Sequence, residues 1–284
     1  MRVDFHVHST ASDGTLTPIE VFSHAQEKKC SFVSLTDHDE TGGLSDFLSQ
    51  EGEVATISGV ELSVEPGEGF DRFHLLGLGM DHTNKNFVSF LEKIRLGRDE
   101  RNKRIIENFR QKGIELEDEV RQYATDGVLA RPHFARWLVD HGMASSIPEA
   151  FSLYLLDDSP KETKCYASRI RPSRKEAFDV IHAAGGVCIM AHPKYLKSEW
   201  KRTGCDYEAA KRALGRFKEE GLDGVEALYQ ANTPEENVEF TRIADSLGLL
   251  KSAGSDFHGE NKPSVTLGME VEESFIRPLL ERFE

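Results

Sequence analysis

Nine side chains able to bind a metal ion recur near the ends of short apolar runs in this sequence. His6, His8 and Asp13 accompany the run that opens the chain, and His38 lies in Thr36-Asp37-His38-Asp39 after the second run. Glu61 follows the third run, and His74 sits within or beside the fourth. His192-Pro193 follows a run ending at Ala191, and Asp256 and His258 follow the last one in Gly254-Ser255-Asp256-Phe257-His258. In an extended strand, residues two apart point the same way, so His6 and His8 can grip one ion. Asp256 and His258 can do likewise or serve two neighbouring ions. Neutral imidazoles mixed with carboxylates suit Zn²⁺, Mn²⁺ or Fe²⁺, whereas Mg²⁺ prefers a set richer in oxygen. At roughly three to four ligands per ion, nine donors hold two or three ions once one carboxylate bridges. Glu61, central in the chain order, is the natural bridge.

A lone His-x-His means little, because a half-buried strand carries two satisfied histidines by chance. Co-location gives the pattern its force, since so many buried ionisable groups would carry a large desolvation cost without compensating cations. His24, His82, His141 and His182 fall in helix-like or loop segments away from strand ends and read as ordinary structural or surface residues.

The elements that must position these donors follow from the apolar pattern. Strands are predicted at Arg2–Val7, Ser31–Thr36, Val54–Ser58, Phe73–Leu78, Val187–Ala191, Gly224–Leu228 and Leu249–Ala253. Thr17-Pro18-Ile19-Glu20 supplies an N-cap, a proline at the first helical position and a capping-box glutamate for a helix running to about Lys29. Ser173-Arg174-Lys175-Glu176 and Thr233-Pro234-Glu235-Glu236 repeat the device, with stops at Gly185-Gly186 and Gly248. Short apolar strands separated by helices indicate parallel pairing, which gathers the C-terminal strand ends on one face. Residues 86–165 break the alternation. Phe87, Phe90, Leu91, Ile94, Ile105, Ile106 and Phe109 are spaced for one long helix, and two clusters around Trp137 and Tyr154 predict two more. The reading is an α/β barrel of about seven strands, made from residues 1–85 and 166–284, with a helical substrate-capping module inserted at 86–165.

Bulk properties narrow the function. Hydrophobic residues make up 38%, enough for a sizeable core, and no run reaches the roughly 18 apolar residues that span a bilayer. The N-terminus lacks a secretory apolar stretch. Cys30, Cys165, Cys188 and Cys205 are scattered without a CxxC pair, which predicts free thiols in a cytoplasmic protein with no membrane partner. The net charge of -14 argues against wrapping long nucleic acid and favours short substrates. Residues 86–175 nevertheless hold 17 Lys/Arg against 14 Asp/Glu, a local excess of three positive charges. The basic stretch Arg95–Arg104 is interleaved with acids and reads as a solvated helix face carrying i,i+4 pairs.

The ordered motifs DFHVHSTASDGTLTP, SLTDHDETGG, SGVELSV, FHLLGLG, MAHP and SAGSDFH resemble those of the PHP (polymerase and histidinol phosphatase) superfamily over the whole chain. The resemblance implies a distorted (β/α)7 barrel with up to three divalent ions. By that resemblance His6, His8, Glu61 and Asp256 would hold one ion, Glu61, His74 and His192 a second, and Asp13, His38 and His258 a third. Mn²⁺ is the leading metal, with Zn²⁺, Fe²⁺ and Mg²⁺ behind it. The helical insertion and its ARPHFARWLV segment look like the branch that hydrolyses nucleoside monophosphates and 3′,5′-nucleotide bisphosphates. Some members of that branch also trim 5′-phosphorylated RNA ends. Arg131 and His133, with Arg136 behind them, are the candidates for gripping substrate phosphate, because arginine makes bidentate contacts to it. The segment DSPKETKCY ending at Tyr166 departs from the shorter Lys- and Gly-containing loop of that branch.

Three divalent ions would bring about +6 against about -4 from Asp13, Glu61, Asp256 and a hydroxide, leaving the site near +2 inside an acidic protein. Two ions bridged by Glu61 would lower the pKa of a shared water to give a hydroxide that attacks phosphorus in line. Asp37 and His192 are the candidates for proton transfer, and orientation of His38 is the competing role for Asp37. A 5′→3′ exonuclease on short 5′-phosphorylated oligonucleotides would use the same donors. An amidohydrolase and a non-catalytic metal- or nucleotide-binding regulator are the readings from other classes.

Overall fold

The computed structural model describes residues 1–67, 69–70, 73–124, 129–169, 171–196 and 206–284. Seven strands form the barrel: β1 (Arg2–Val7), β2 (Phe32–Leu35), β3 (Ala55–Val64), β4 (Phe73–Leu78), β5 (Val187–Met190), β6 (Gly224–Tyr229) and β7 (Leu250–Gly254). They are ordered β7-β6-β5-β4-β3-β2-β1, and the two-residue β8 (Met269–Glu270) pairs antiparallel with the outer side of β1. The seam nearly closes beyond the end of β7, where Asp256 N–H donates to His6 O at 2.9 Å and His8 N–H donates to Phe257 O at 2.9 Å.

One strand runs against the expectation of parallel pairing. β4 is antiparallel to both β3 and β5, while the β1–β2, β2–β3, β5–β6 and β6–β7 pairs are parallel. The cause is the length of β3, which continues past Ser58 to Val64 and leaves only Glu65–Arg72 before β4. Those eight residues allow a return turn but not a parallel crossover, which needs about a dozen or more. Glu61 is therefore inside β3 rather than after it.

The helices start where their caps place them. Thr17 opens α1 (Pro18–Glu27) with a full capping box, as do Ser173 for α7 (Arg174–Ala183) and Thr233 for α9 (Pro234–Leu247). Gly248, at φ 61°, ends α9 in the left-handed conformation that glycine enters without steric penalty. The short α2 (Leu44–Leu48), α8 (Tyr207–Glu220) and α10 (Glu273–Leu280) carry weaker sequence signals and complete the barrel unit. Val3, Phe5, Leu76, Leu78, Val187, Ile189 and Ala253 form one buried cluster with Ile276 and Leu279 of α10. Because β1 and β4 are not neighbours in the sheet, a shared cluster means they face a common interior. Each fully buried aliphatic or aromatic side chain there contributes about 1.5–3 kcal/mol.

The chain divides into two compact units, Met1–Leu91 with Pro172–Glu284, and Glu92–Arg171. The second unit contains most of α3 (Lys85–Gln111), then α4 (Glu117–Val120), α5 (Arg131–Asp140) and α6 (Ile147–Ala150), which runs into a π turn at Phe151–Leu155. It has no strand among its described residues. Its own core joins Ile105, Ile106 and Phe109 to Phe134, Trp137, Leu138 and Leu155. Among the described residues, no helix is long and apolar enough to cross a membrane. Cys30, Cys165 and Cys188 are buried free thiols, and Cys205 lies outside the described residues.

Candidate metal centre

Seven segments of the barrel unit bring the nine donors together. β1 delivers His6 and His8, the following loop Asp13, the segment after β2 His38, and β3 itself Glu61. His192 follows β5, and Asp256 and His258 follow β7. His74 reaches the same rim because β4 is reversed: as the second residue of an antiparallel strand, it lies at the end that meets the C-terminal tips of the parallel ones. Its register partner is Ser63, two residues beyond Glu61.

Glu61 is the hub. Its Oε1 lies 2.8 Å from His74 Nδ1 and 3.0 Å from His192 Nε2. Its Oε2 lies 2.8 Å from His38 Nδ1, 3.3 Å from His8 Nε2 and 3.4 Å from His6 Nε2. Asp256 Oδ1 faces the second group, 3.4 Å from His8 Nε2 and 3.6 Å from His6 Nε2. Asp13 stands 3.2 Å from His258 Nε2 and 3.8 Å from both His8 Nδ1 and His38 Nε2. Seven of the nine donors fall into three overlapping sets whose ligand atoms lie within 4.8 Å of one another: His6, His8 and Glu61; His38, Glu61 and His74; His8, Asp13, His38 and His258. Overlap through His8, His38 and Glu61 means that cations held here would be neighbours sharing ligands.

The donor set fits divalent cations. His6 Nε2, both ring nitrogens of His8 and Glu61 Oε2 are buried without a hydrogen-bond partner, a costly arrangement in a protein interior. Donors around one ion at about 2.1 Å stand roughly 3–3.4 Å apart, close to the spacings around His6, His8, Glu61 and Asp256. The electrostatics agree. Burial alone would raise Glu61, but the imidazoles of His38, His74 and His6 hold its carboxyl well below the usual range. Burial is likewise overridden at Asp13 by His258 and His38, and at Asp256 by His6 and His8, so both acids are held well below theirs. Burial would lower His6, yet Glu226, Glu61 and Asp256 raise it well above its ordinary value. His74 is pushed down by burial to about 3, which leaves it a neutral ligand. Apart from the Lys262 ammonium beside Asp256, the positive charge these carboxylates call for must come from protons or metal ions.

Backbone geometry marks the same rim. Of the four non-glycine residues with positive φ among the described residues, three are Asp39 (53°), His192 (29°) and Asp256 (60°), a concentration of strain typical of functional sites.

Asp37, a candidate for proton transfer or for orienting His38, has both carboxylate oxygens engaged. Its carboxylate accepts from Ser9 N–H at 2.8 Å, Ser9 Oγ at 2.7 Å and Ser12 Oγ at 2.5 Å, and only 2% of the residue is exposed. A carboxylate so engaged organises the loop that carries Asp13. Sequence reasoning missed three residues that touch the donors. Tyr229 OH donates to Asp256 Oδ2 at 3.0 Å and Lys262 Nζ lies 2.5 Å from the same oxygen, which turns Oδ1 towards the histidines. Glu226, wholly buried on β6, reaches His6 Nδ1 at 3.0 Å and accepts from His192 N–H at 2.6 Å. A carboxylate in the middle of a buried strand was the available signal, since such a group must be paired.

The three candidate phosphate contacts belong to the helical unit and separate into different environments. Arg131 donates to Leu155 O at 3.3 Å and lies against the rings of Phe151 and Tyr166. His133 Nδ1 accepts the Ala130 N–H at 3.0 Å, so this histidine caps α5. Arg136 is exposed. The solvated face expected at Arg95–Arg104 holds for the exposed Arg95, Lys103 and Arg104, with Lys103 paired to Glu100, but not for Arg98 and Arg101, which are only 6% and 5% exposed. Arg101 Nε donates to Asn102 Oδ1 at 2.9 Å, whereas its Nη2 has no partner. Burial, then the fields of Arg98, Arg169, Arg131 and Arg171, pull Arg101 down to about 8. The signal for this was missed because the acids between these arginines in sequence occupy the other side of α3.

A family model described as the PHP domain matches residues 4–221. The chain belongs to the PHP family. A 3′,5′-nucleoside bisphosphate phosphatase of Chromobacterium violaceum is 32% identical over 271 residues, covering 94% of this chain and 90% of that protein. A 5′-3′ exoribonuclease of Haemophilus influenzae is 32% identical over 262 residues and 90% of each chain. A solved structure from C. violaceum, named an amidohydrolase and holding sulfate but no metal, superposes with a TM-score of 0.83 at 30% identity over 99% of this chain and 96% of that one. As a PHP protein with such relatives, this chain is a hydrolase of the phosphoesterase class. The matched range, residues 4–221, runs across both units.

Proposed function

We propose that this chain is a metal-dependent phosphatase of small nucleotides. It removes a phosphate monoester from a nucleoside monophosphate or a 3′,5′-nucleotide bisphosphate with two or three divalent ions, manganese foremost. One observation carries the reading: Glu61 stands within 3.4 Å of five imidazoles, divided between its two oxygens, as a carboxylate between two cations would. His6, His8, Glu61 and Asp256 suit one ion, Glu61, His74 and His192 a second, and Asp13, His38 and His258 a third. Bound there, divalent ions supply Lewis-acid charge and an activated water for attack on phosphorus. The protein's part is to hold neutral imidazoles and ionised carboxylates at fixed separations and to keep bulk water from the buried ones.

The arginines of the helical unit support an anionic substrate. Arg101 is buried with an unpartnered nitrogen, and phosphate oxygens match a guanidinium fork. A neutral amide, the substrate of an amidohydrolase, would leave that charge uncompensated. Arg131 joins Arg101 as a phosphate contact on this reading, while Arg136 and the capping residue His133 contribute less. The buried free thiols suit a reducing cytoplasm. Likeness to a protein named as an exoribonuclease supports a second reading, stepwise removal of nucleotides from short 5′-phosphorylated oligonucleotides by the same centre.

Both readings are tested on protein stripped with chelator, reloaded with Mn²⁺ and assayed for bound metal. The substrates are a nucleoside monophosphate, a 3′,5′-bisphosphate and a 5′-phosphorylated oligonucleotide. Inorganic phosphate from the small nucleotides supports the phosphatase. Mononucleotides from the oligonucleotide, without that phosphate, support the exonuclease. Metal-loaded protein inert to all three would overturn both.

A further inference from the structure

We propose that Glu226 is a positioning residue for the metal centre, fixing with one carboxylate the ring of His6 and the backbone of His192. The inference deepens the metal-centre reading and rests on it. Glu226 lies at the middle of β6, is 0% exposed, and spreads its two oxygens between two strand ends. Oε2 accepts the His192 N–H at 2.6 Å, and Oε1 lies 3.0 Å from His6 Nδ1. With Oε2 taken by the His192 N–H and Oε1 facing the ring, the proton His6 keeps when it gives one up to a cation is the one on Nδ1. That leaves the lone pair of Nε2 pointing at Glu61 Oε2 and Asp256 Oδ1, where this nitrogen has no hydrogen-bond partner in the protein. The carboxylate therefore selects the tautomer that can bind a cation, the relation commonly found between an outer carboxylate and a metal-bound histidine.

The bond to His192 does a different task for a second donor. His192 sits at φ 29°, ψ 64°, a conformation that side-chain-bearing residues avoid, and Oε2 holds its amide there. His192 Nε2 is thereby kept 3.0 Å from Glu61 Oε1. His6 and His192 face opposite oxygens of Glu61, so one buried carboxylate sets a donor on each side of the hub. Space for it is provided at Gly254, where a Cβ would collide with Glu226 Oε1 and lie 2.5 Å from His6 Cβ.

The near-isosteric Glu226→Gln variant separates tautomer control from packing. A glutamine has one accepting oxygen. If it faces His192 N–H, the amide NH₂ faces His6 Nδ1 and drives the proton onto Nε2, which abolishes the metal-facing lone pair. If the oxygen faces His6, the NH₂ opposes the His192 N–H and releases the strained turn. Either way, titration of the chelator-treated variant with Mn²⁺ should show affinity reduced roughly 10- to 100-fold in at least one class of sites. Excess Mn²⁺ should recover kcat with KM for the nucleotide unchanged, and the far-UV spectrum and unfolding temperature of the metal-free form should match wild type. Should the variant fail to fold, ¹⁵N NMR of the wild-type histidines loaded with diamagnetic Zn²⁺ decides, with His6 protonated on Nδ1 and unprotonated on Nε2 as the expected result. Wild-type affinity in Glu226→Gln, or a Zn²⁺-loaded wild-type His6 carrying its proton on Nε2, would overturn the inference while leaving the metal centre standing. Failure of the wild-type protein to bind Mn²⁺ would overturn the metal centre itself, and the inference with it.

Discussion

Replacing Arg101 by methionine should make the free protein more stable and a worse enzyme. The guanidinium is 5% exposed, has no carboxylate partner among the described residues, and stands in the field of four other arginines. Arginine keeps its proton at any physiological pH, so the pull to about 8, caused first by burial and then by the neighbouring arginines, is a penalty on the charged group that an anion would relieve. With about 1.36 kcal/mol for each tenfold change in proton affinity, that pull caps the penalty at about 6 kcal/mol. The sign is that of a base whose folded pKa is depressed: the penalty is present in full below pH 8, where the group is charged both folded and unfolded. Relaxation reduces it, and exchanging buried charge for apolar volume typically gains about 1–4 kcal/mol. For a chain of this size the gain corresponds to a rise in unfolding temperature of roughly 2–8 °C. The same exchange removes charge-assisted contacts worth about 1.5–3 kcal/mol, a loss of roughly 10- to 100-fold in kcat/KM on a nucleotide. Scanning calorimetry at constant ionic strength, with phosphate replacing chloride, adds the decisive arm. Wild type should be stabilised by phosphate and Arg101→Met should not. A variant that is less stable than wild type, together with a wild type indifferent to phosphate, would show that Arg101 already has its counter-charge and that the anion site does not exist.

Glu61→Gln removes the negative charge between the two groups of imidazoles, so elemental analysis should find at most one ion per chain and turnover should fall about 10³-fold. Bound metal equal to wild type would refute the hub role. Metal loading should release protons and weaken as pH falls, because burial at His6 and His8 is outweighed by carboxylates that raise both imidazoles, and those protons must leave before an ion enters. By the same sign, these histidines support the metal-free fold at low pH and lose that support as pH climbs through their raised range. Titration calorimetry in two buffers of different ionisation enthalpy measures the release, and none would contradict the electrostatics. Burial pushes the thiols of Cys30 and Cys165 up to about 12 and about 11 and drives Cys188 well above its ordinary value, so a thiol reagent at pH 8 should label at most Cys205 until the protein is unfolded.

The sequence exposes those parts of this molecule that follow from periodicity and from residue type. The three capping boxes at Thr17, Ser173 and Thr233 start helices where the pattern puts them, because a cap is settled within four residues. The nine donors meet because βα units gather strand tips, and β4 joins them for a different reason: its reversal puts the second residue, His74, at the shared end. That reversal was hidden by ending β3 at Ser58, which left room for a crossover that the real strand, reaching Val64, does not leave. What stayed illegible is every role fixed by a partner distant in sequence. Asp37 beside His38 gives no sign in sequence that Ser9 and Ser12 engage its carboxylate. Glu226 looks like one acid among many until His6, 220 residues away, is found on it. Arg101 looks solvated because the acids around it in sequence lie on another face of the same helix. In each case residue type announced a charge, and only three-dimensional packing decided whether a hydroxyl, an imidazole or a missing anion must answer it. Chemistry is therefore most legible where like donors are numerous and redundant, as at the metal rim, and least legible where a single buried charge acts through one contact.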